Sequence, residues 1–116
     1  MPIIDHTDVR LATATERVRE RYLVSKDLGA VSLTVKEVEI SPGWEGRMHT
    51  HPIDVSIQVL SGAIQVILGD EVRTVRAGTT LLAPPGVPHK MIHHLWIPAL
   101  LLITYPSAEL ETDHLE

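Results

Sequence analysis

In the stretch PGWEGRMHTHPIDVSIQVLSG, residues 42–62, His49 and His51 stand one residue apart between a glycine cluster and an apolar run. Alternate side chains of an extended chain share a face, and a rise of ~3.3 Å per residue sets the two Cα atoms about 6.5–7 Å apart. Both imidazoles can then converge on one ion, at about 2.0–2.1 Å from each nitrogen. Two imidazoles alone do not close a transition-metal site, so the remaining ligands must come from elsewhere in the chain.

The other histidines are His6, His89, His93, His94 and His114. His6 and His114 lie in polar end segments and are expected in solvent. His89 follows the turn sequence PPGVP. His93 shares its alternation parity but lies about 13 Å further along a straight strand, so the two cannot grip one ion without a severe bend. His93 therefore reads as a residue that supports the ligands or packs in the core, and His94 faces the opposite way.

The elements that must hold these side chains are strands. The chain has 116 residues, enough for one domain with a real core. It has no Phe, and Trp44, Trp96, Tyr22 and Tyr105 carry all its Trp and Tyr rings, so the core is built from Val, Ile and Leu. Gly29, Pro42-Gly43, Gly46, Pro52, Ser61-Gly62, Gly69-Asp70, Ala77-Gly78, Pro84-Pro85-Gly86 and Pro98 cut it into strand-length pieces. Between them lie the runs 31–40, 54–60, 63–68, 71–76, 79–83, 90–96 and 99–105, several alternating with period two. Gly69-Asp70 fits a tight primed turn joining two of them. A short helix is expected around Asp8 to Glu16, and the first strand from about Tyr22. Such a pattern predicts one all-β domain, a sandwich or closed barrel.

Composition excludes several functions. No cysteine means no disulfide framework and no thiolate nucleophile or ligand. A formal net charge of −5 speaks against nucleic-acid binding, and Arg10, Arg17, Arg19 and Arg21 are interleaved with Asp8, Glu16 and Glu20. The start of the chain lacks a basic region followed by an apolar stretch, and the most apolar segment, residues 95–105, is too short to span a bilayer. A cytoplasmic protein with no membrane partner is expected. No Ser-His-Asp arrangement, phosphate-binding loop or nucleotide fingerprint is present.

Gly43, five residues, His49, one residue, His51, then Gly62 after an apolar strand resembles the first motif of the cupin superfamily, here at 43–62. Gly78, five residues, Pro84, one residue, Gly86, two residues, then His89 resembles the second, at 78–93. The motifs occur in the family's order with one hairpin between them. The resemblance implies an all-β, cupin-type jelly-roll β-barrel over residues 1–116, with a short irregular or helical N-terminal segment. It also implies that His49, His51 and His89 bind one divalent transition metal per chain: Fe, Mn, Ni or Zn.

Here the sequence departs from the family, because Val55 stands where the motif's glutamate ligand is usual. Asp54 is adjacent, but its parity opposes that position unless a bulge at Pro52 rotates it inward. Glu45 sits in a glycine-flanked loop and reads as solvated. Val55, Ile57 and Val59 continue the histidine parity as barrel wall, with Met48, Met91 and Leu95 as further lining. Arg47 and Gln58 are the candidate polar groups near the mouth, and a small, mostly apolar pocket is expected.

Three neutral imidazoles leave a divalent ion its full charge and open positions for anionic or chelating ligands. Three-histidine iron sites of this superfamily occur in dioxygenases of thiols and diketones, so the resemblance implies a metal oxygenase of a small chelating organic substrate. The alternative is a non-catalytic cupin that binds or senses a small molecule. Cupins of this kind commonly pair, so a homodimer is expected, with residues 18–25 in its interface.

Overall fold

The β-branched runs pair into two antiparallel sheets that face each other as a jelly roll. The computed structural model describes residues 2–110 and 112–116. One sheet contains β1 (Ala12–Thr15), β2 (Val18–Val24), β3 (Thr34–Ile40), β5 (Val55–Ser61), β8 (Thr80–Ala83) and β10 (Ala99–Tyr105), in the order β1-β2-β3-β10-β5-β8. The other contains β4 (His49–Thr50), β6 (Ala63–Leu68), β7 (Glu71–Arg76), β9 (His89–Ile92) and β11 (Asp113–His114), in the order β11-β4-β9-β6-β7.

Alternation along each strand fills the space between the sheets. Val55, Ile57 and Val59 of β5 are buried, as are Ala99, Leu101, Ile103 and Tyr105 of β10 and Val38 and Ile40 of β3. Ile64 and Val66 of β6 and Val75 of β7 meet them from the opposite sheet. The result is an aliphatic core whose drive to assemble is the removal of these side chains from water, about 1.5–3 kcal/mol for each large one. Gly69, at φ 58°, takes the first central place of the β6–β7 turn. Gly62 is required at its position: φ is 76°, and an added Cβ would lie 2.6 Å from the Pro98 carbonyl oxygen.

The N-terminal segment differs from the expected helix over Asp8 to Glu16. A single 3-10 turn covers His6–Asp8, capped by the Asp5 side chain, and β1 then pairs with β2 as a hairpin. Alternating Ala-Thr-Ala-Thr has little to gain as a helix, and Arg17 accepts the left-handed conformation (φ 66°) that closes the turn. The first strand accordingly begins at Ala12 rather than near Tyr22. The segment expected to pair two chains, 18–25, is mostly β2, which pairs with β3 over Val18–Val24 but with β1 only at Val18, Arg19 and Glu20; β1 and β8 are the edges of this sheet.

Two of the clustered arginines are neutralised across strands. Arg19 faces Glu39 and Arg21 faces Glu37 in the β2–β3 register, each pair with an N···O distance of 2.6 Å. The β2–β3 outer face is thus a charge ladder rather than a basic stripe.

Candidate metal centre

The mouth of the barrel lies where β5 begins and β10 ends, and here the two sequence motifs meet. His49 of β4 stands directly opposite His89 of β9 in the antiparallel pairing, so both side chains project to one face. His51 follows β4, and its carbonyl accepts the Gly86 N–H at 2.9 Å, so the Pro84-Pro85-Gly86 turn fixes its backbone. The Pro88 carbonyl accepts the Gly69 N–H at 2.8 Å, which ties the segment before His89 to the β6–β7 turn.

Among the described residues, His49, His51 and His89 bring one potential ligand atom each to within 4.8 Å of one another. His51 and His89 are buried and His49 is half-buried. His49 Nδ1 lies 2.7 Å from the Arg47 carbonyl oxygen, and His89 Nδ1 lies 3.0 Å from that of Val87. A carbonyl can only accept, so these bonds assign the proton to Nδ1 and leave each Nε2 lone pair for an ion. His51 Nδ1 lies 3.4 Å from the Thr112 hydroxyl.

The ring separations fit one ion. Imidazoles bound through Nε2 have centroids ~3.2 Å from the metal, so ~4.5 Å apart at a right angle and ~5.2 Å apart at the tetrahedral angle. The observed separations are 4.3 Å for His49–His89, 5.0 Å for His49–His51 and 5.3 Å for His51–His89. Burial pushes the His89 imidazole below its ordinary pKa, and His49 and His51 push the same way against the Val87 carbonyl. The ring is therefore held neutral, the form a metal ligand needs.

Val55 begins β5, is 1% exposed and pairs with Ala83, so this inward position at the mouth carries no donor. Ile57 and Val59 continue the wall, and Met91, opposite Val66, packs on the core. Met48 is half-buried, and its N–H and carbonyl bond to Glu116 and Leu115. Asp54 is exposed, and Gln58 is exposed between buried Ile57 and Val59, so Gln58 faces away from the barrel interior. Arg47 is exposed and donates to the Glu116 main-chain oxygen at 2.6 and 3.0 Å. Leu95 is not mouth lining: it borders an open apolar cavity of about 460 Å³ with Trp96, Ile97 and Gly62, at the end where β10 begins. His93 is fully buried, with Nε2 2.6 Å from the Ile97 carbonyl and Nδ1 accepting the Leu95 N–H at 3.3 Å. Its ring clamps the loop 93–97, which is why β9 stops at Ile92 instead of running to Trp96.

Three neighbours of the triad, and Lys36 behind one of them, were not foreseen from the sequence. The Tyr105 ring lies 5.6 Å from that of His51. Lys36, on the inward face of β3 with Val38 and Ile40, lies 5.8 Å from the Tyr105 ring and 3.2 Å from the Glu20 carboxylate. Burial pushes the Tyr105 phenol up, against the pull of Lys36. Burial also opposes the Lys36 charge, but Tyr105, Glu20 and Tyr22 outweigh it, so its pKa is raised. The interior is thus less purely apolar than expected. The parity of β3 and β10 carried this signal. Thr112 and His114 reach the mouth through β11, whose pairing partner lies more than sixty residues earlier, and no local pattern announces that.

Comparison with known proteins agrees with this geometry. A family model described as "Cupin domain" matches residues 36–105. No curated protein sequence matches. Among solved structures, the polyketide cyclase RemF from Streptomyces resistomycificus is 24% identical, with a TM-score of 0.86 over 100% of this chain and 86% of that one. An RmlC-like cupin from Shewanella frigidimarina is 19% identical, with a TM-score of 0.80 over 91% of each chain. Salicylate 1,2-dioxygenase from Pseudoaminobacter salicylatoxidans, in adducts with gentisate, is 17% identical, with a TM-score of 0.76 over 90% of this chain and 30% of that one. With both motifs in place at one mouth and the family model spanning most of the jelly roll, the chain belongs to the cupin family.

Proposed function

We propose that the chain is a metal-dependent enzyme acting on a small chelating organic molecule, with one divalent transition ion held by His49, His51 and His89. The observation that carries this reading is the convergence of three imidazoles, two of them with Nδ1 already engaged by a carbonyl so that Nε2 is left to bind. A bound ion there would supply Lewis acidity at undiminished double charge and, as Fe(II), a redox partner for dioxygen.

The chain's own residues do the rest. Val55, buried where β5 begins at the mouth, with Ile57 behind it, presents only aliphatic surface there and would keep water from the inner side of the bound molecule. Tyr105, held in its phenol form by burial, donates its O–H to an oxygen of that molecule, and Lys36 steadies negative charge on it. The class that suits this set is an enolisable diketone or an oxygen-rich acid, and the reaction we assign is its dioxygen-dependent oxidation. The neighbour named for salicylate dioxygenation supports that class. A second reading, redox-neutral ring closure under Lewis-acid control, is favoured by the likeness to a polyketide cyclase over the whole chain.

Elemental analysis of purified protein is expected to give one transition ion per chain, and its absence overturns the reading. Oxygen uptake with Fe(II) across diketones, thiols and flavonols then separates the chemistries. Uptake supports the oxygenase. Conversion without uptake supports ring closure, and tight binding without conversion makes the protein a small-molecule-binding module. We place the protein in the cytoplasm as a homodimer with residues 18–25 forming part of its interface. No described helix is long and apolar enough to cross a membrane. A monomeric mass by light scattering at micromolar concentration would remove the dimer.

A further inference from the structure

We infer that His114, carried by β11, is a fourth imidazole of the metal centre, so that the last strand acts as a ligand-bearing strap across the barrel mouth. This rests on the three-histidine reading above and extends it.

The register makes the case first. β11 pairs antiparallel with β4, with His114 opposite His49 and Asp113 opposite Thr50. Directly opposed residues of an antiparallel pair project to the same face. His114 therefore shares the face of His49, and Thr112, whose hydroxyl lies 3.4 Å from His51 Nδ1, shares that of His51. Asp113 points the other way, so the strap offers the ion an imidazole and not a carboxylate.

Distance is the second observation. The His114 and His49 ring centroids are 5.9 Å apart. Two imidazoles on one ion have centroids ~4.5 Å apart at a right angle and ~6.4 Å apart when directly opposite, so this separation from His49 suits a shared ion, and rotation of the His114 ring is what would bring its nitrogen to the three that already converge. Val55 supplies no donor at the family's fourth ligand position and Asp54 is exposed, so a further ligand has room beside the triad. His114 is exposed, so its position is not explained by core packing.

Third, the strap is anchored independently of any ion. The Leu115 N–H donates to the Met48 carbonyl at 2.8 Å, and the Met48 N–H donates to the Glu116 carboxylate at 2.6 Å. Lys90 donates to both oxygens of that carboxylate, at 3.1 and 3.2 Å. These contacts hold the segment against β4 and leave the His114 ring to reorient by side-chain rotation. A four-imidazole set would keep the ion's double charge while tightening its hold, and would accept any of the transition ions that suit imidazole, iron among them.

The test is titration of the metal-free full chain with Co(II) alone, read by calorimetry and by the visible ligand-field spectrum. Wild type, His114→Ala and His51→Ala are compared. His114→Ala is expected to bind Co(II) at least tenfold more weakly, with a changed spectrum that added free imidazole restores. His51→Ala is expected to lose stoichiometric binding. If His114→Ala matches wild type in affinity and spectrum while His51→Ala fails, the strap is not a ligand and the three-histidine site stands. If wild type itself takes up no Co(II), the metal reading and this extension fall together.

Discussion

His89 opens β9 and His93 follows it, both are buried, and they are used in opposite ways. His89 spends Nδ1 on the Val87 carbonyl and keeps Nε2 toward His49 and His51. His93 spends both nitrogens on its own loop, one on the Ile97 carbonyl and one on the Leu95 N–H. Burial alone therefore does not make a histidine a ligand. What matters is a nitrogen left over and other donors converging on it, and that follows from strand pairing rather than from local sequence.

Exchanging the two roles by mutation should give the largest effects. His89→Ala is expected to abolish stoichiometric metal binding while leaving the fold intact. His93→Ala is expected to keep metal stoichiometry at one per chain but to lose about 2–4 kcal/mol of stability, since it opens a cavity and strands two main-chain groups. Metal analysis together with urea denaturation reads both. Metal loss in His93→Ala with unchanged stability would reverse the comparison.

A smaller effect sharpens the comparison at the position that carries no donor. Val55→Glu is expected to tighten divalent-metal binding about tenfold by adding a ligand and neutralising one unit of charge. The metal-free variant is expected to be less stable than wild type by on the order of 3 kcal/mol, because its carboxyl is then buried without a partner. Calorimetric titration and denaturation of the metal-free protein measure the two. If neither changed, residue 55 would not face the ion.

How much of this was legible depended on how far apart the pairing residues are. Ala63–Leu68, Glu71–Arg76 and Ala99–Tyr105 coincide with the runs expected from the sequence, because glycine or proline punctuates them, although only Ala99–Tyr105 alternates without a break. β1 was obscured because all four of its residues are exposed, leaving no apolar period to detect. β4 and β11 are two residues each, too short for any periodicity, yet they place His49 and His114. Tyr105 and Lys36 were readable in principle. Extending the parity of Ala99, Leu101 and Ile103 by one step puts Tyr105 inside, and the parity of Val38 and Ile40 does the same for Lys36.

The smallest expected effect concerns protons on the ligand side of the comparison. Burial, with His49 and His51 adding to it, holds the His89 pKa in the folded metal-free protein below the value of about 6.5 expected for an unfolded chain. Above about pH 6.5 the ring is neutral in both states and contributes no pH dependence. Between 6.5 and the folded pKa the unfolded chain binds a proton that the folded chain does not, so stability falls as pH falls through that window. Below the folded pKa both states are protonated and the loss is complete. One such group changes stability by at most about 1.4 kcal/mol per pH unit. Urea midpoints of the chelator-treated protein are expected to drop between pH 8 and pH 5, and His89→Gln should drop less. If wild type and His89→Gln showed the same pH profile, the imidazole at 89 would be as free to protonate in the fold as in water, and the triad would not be held ready for a metal.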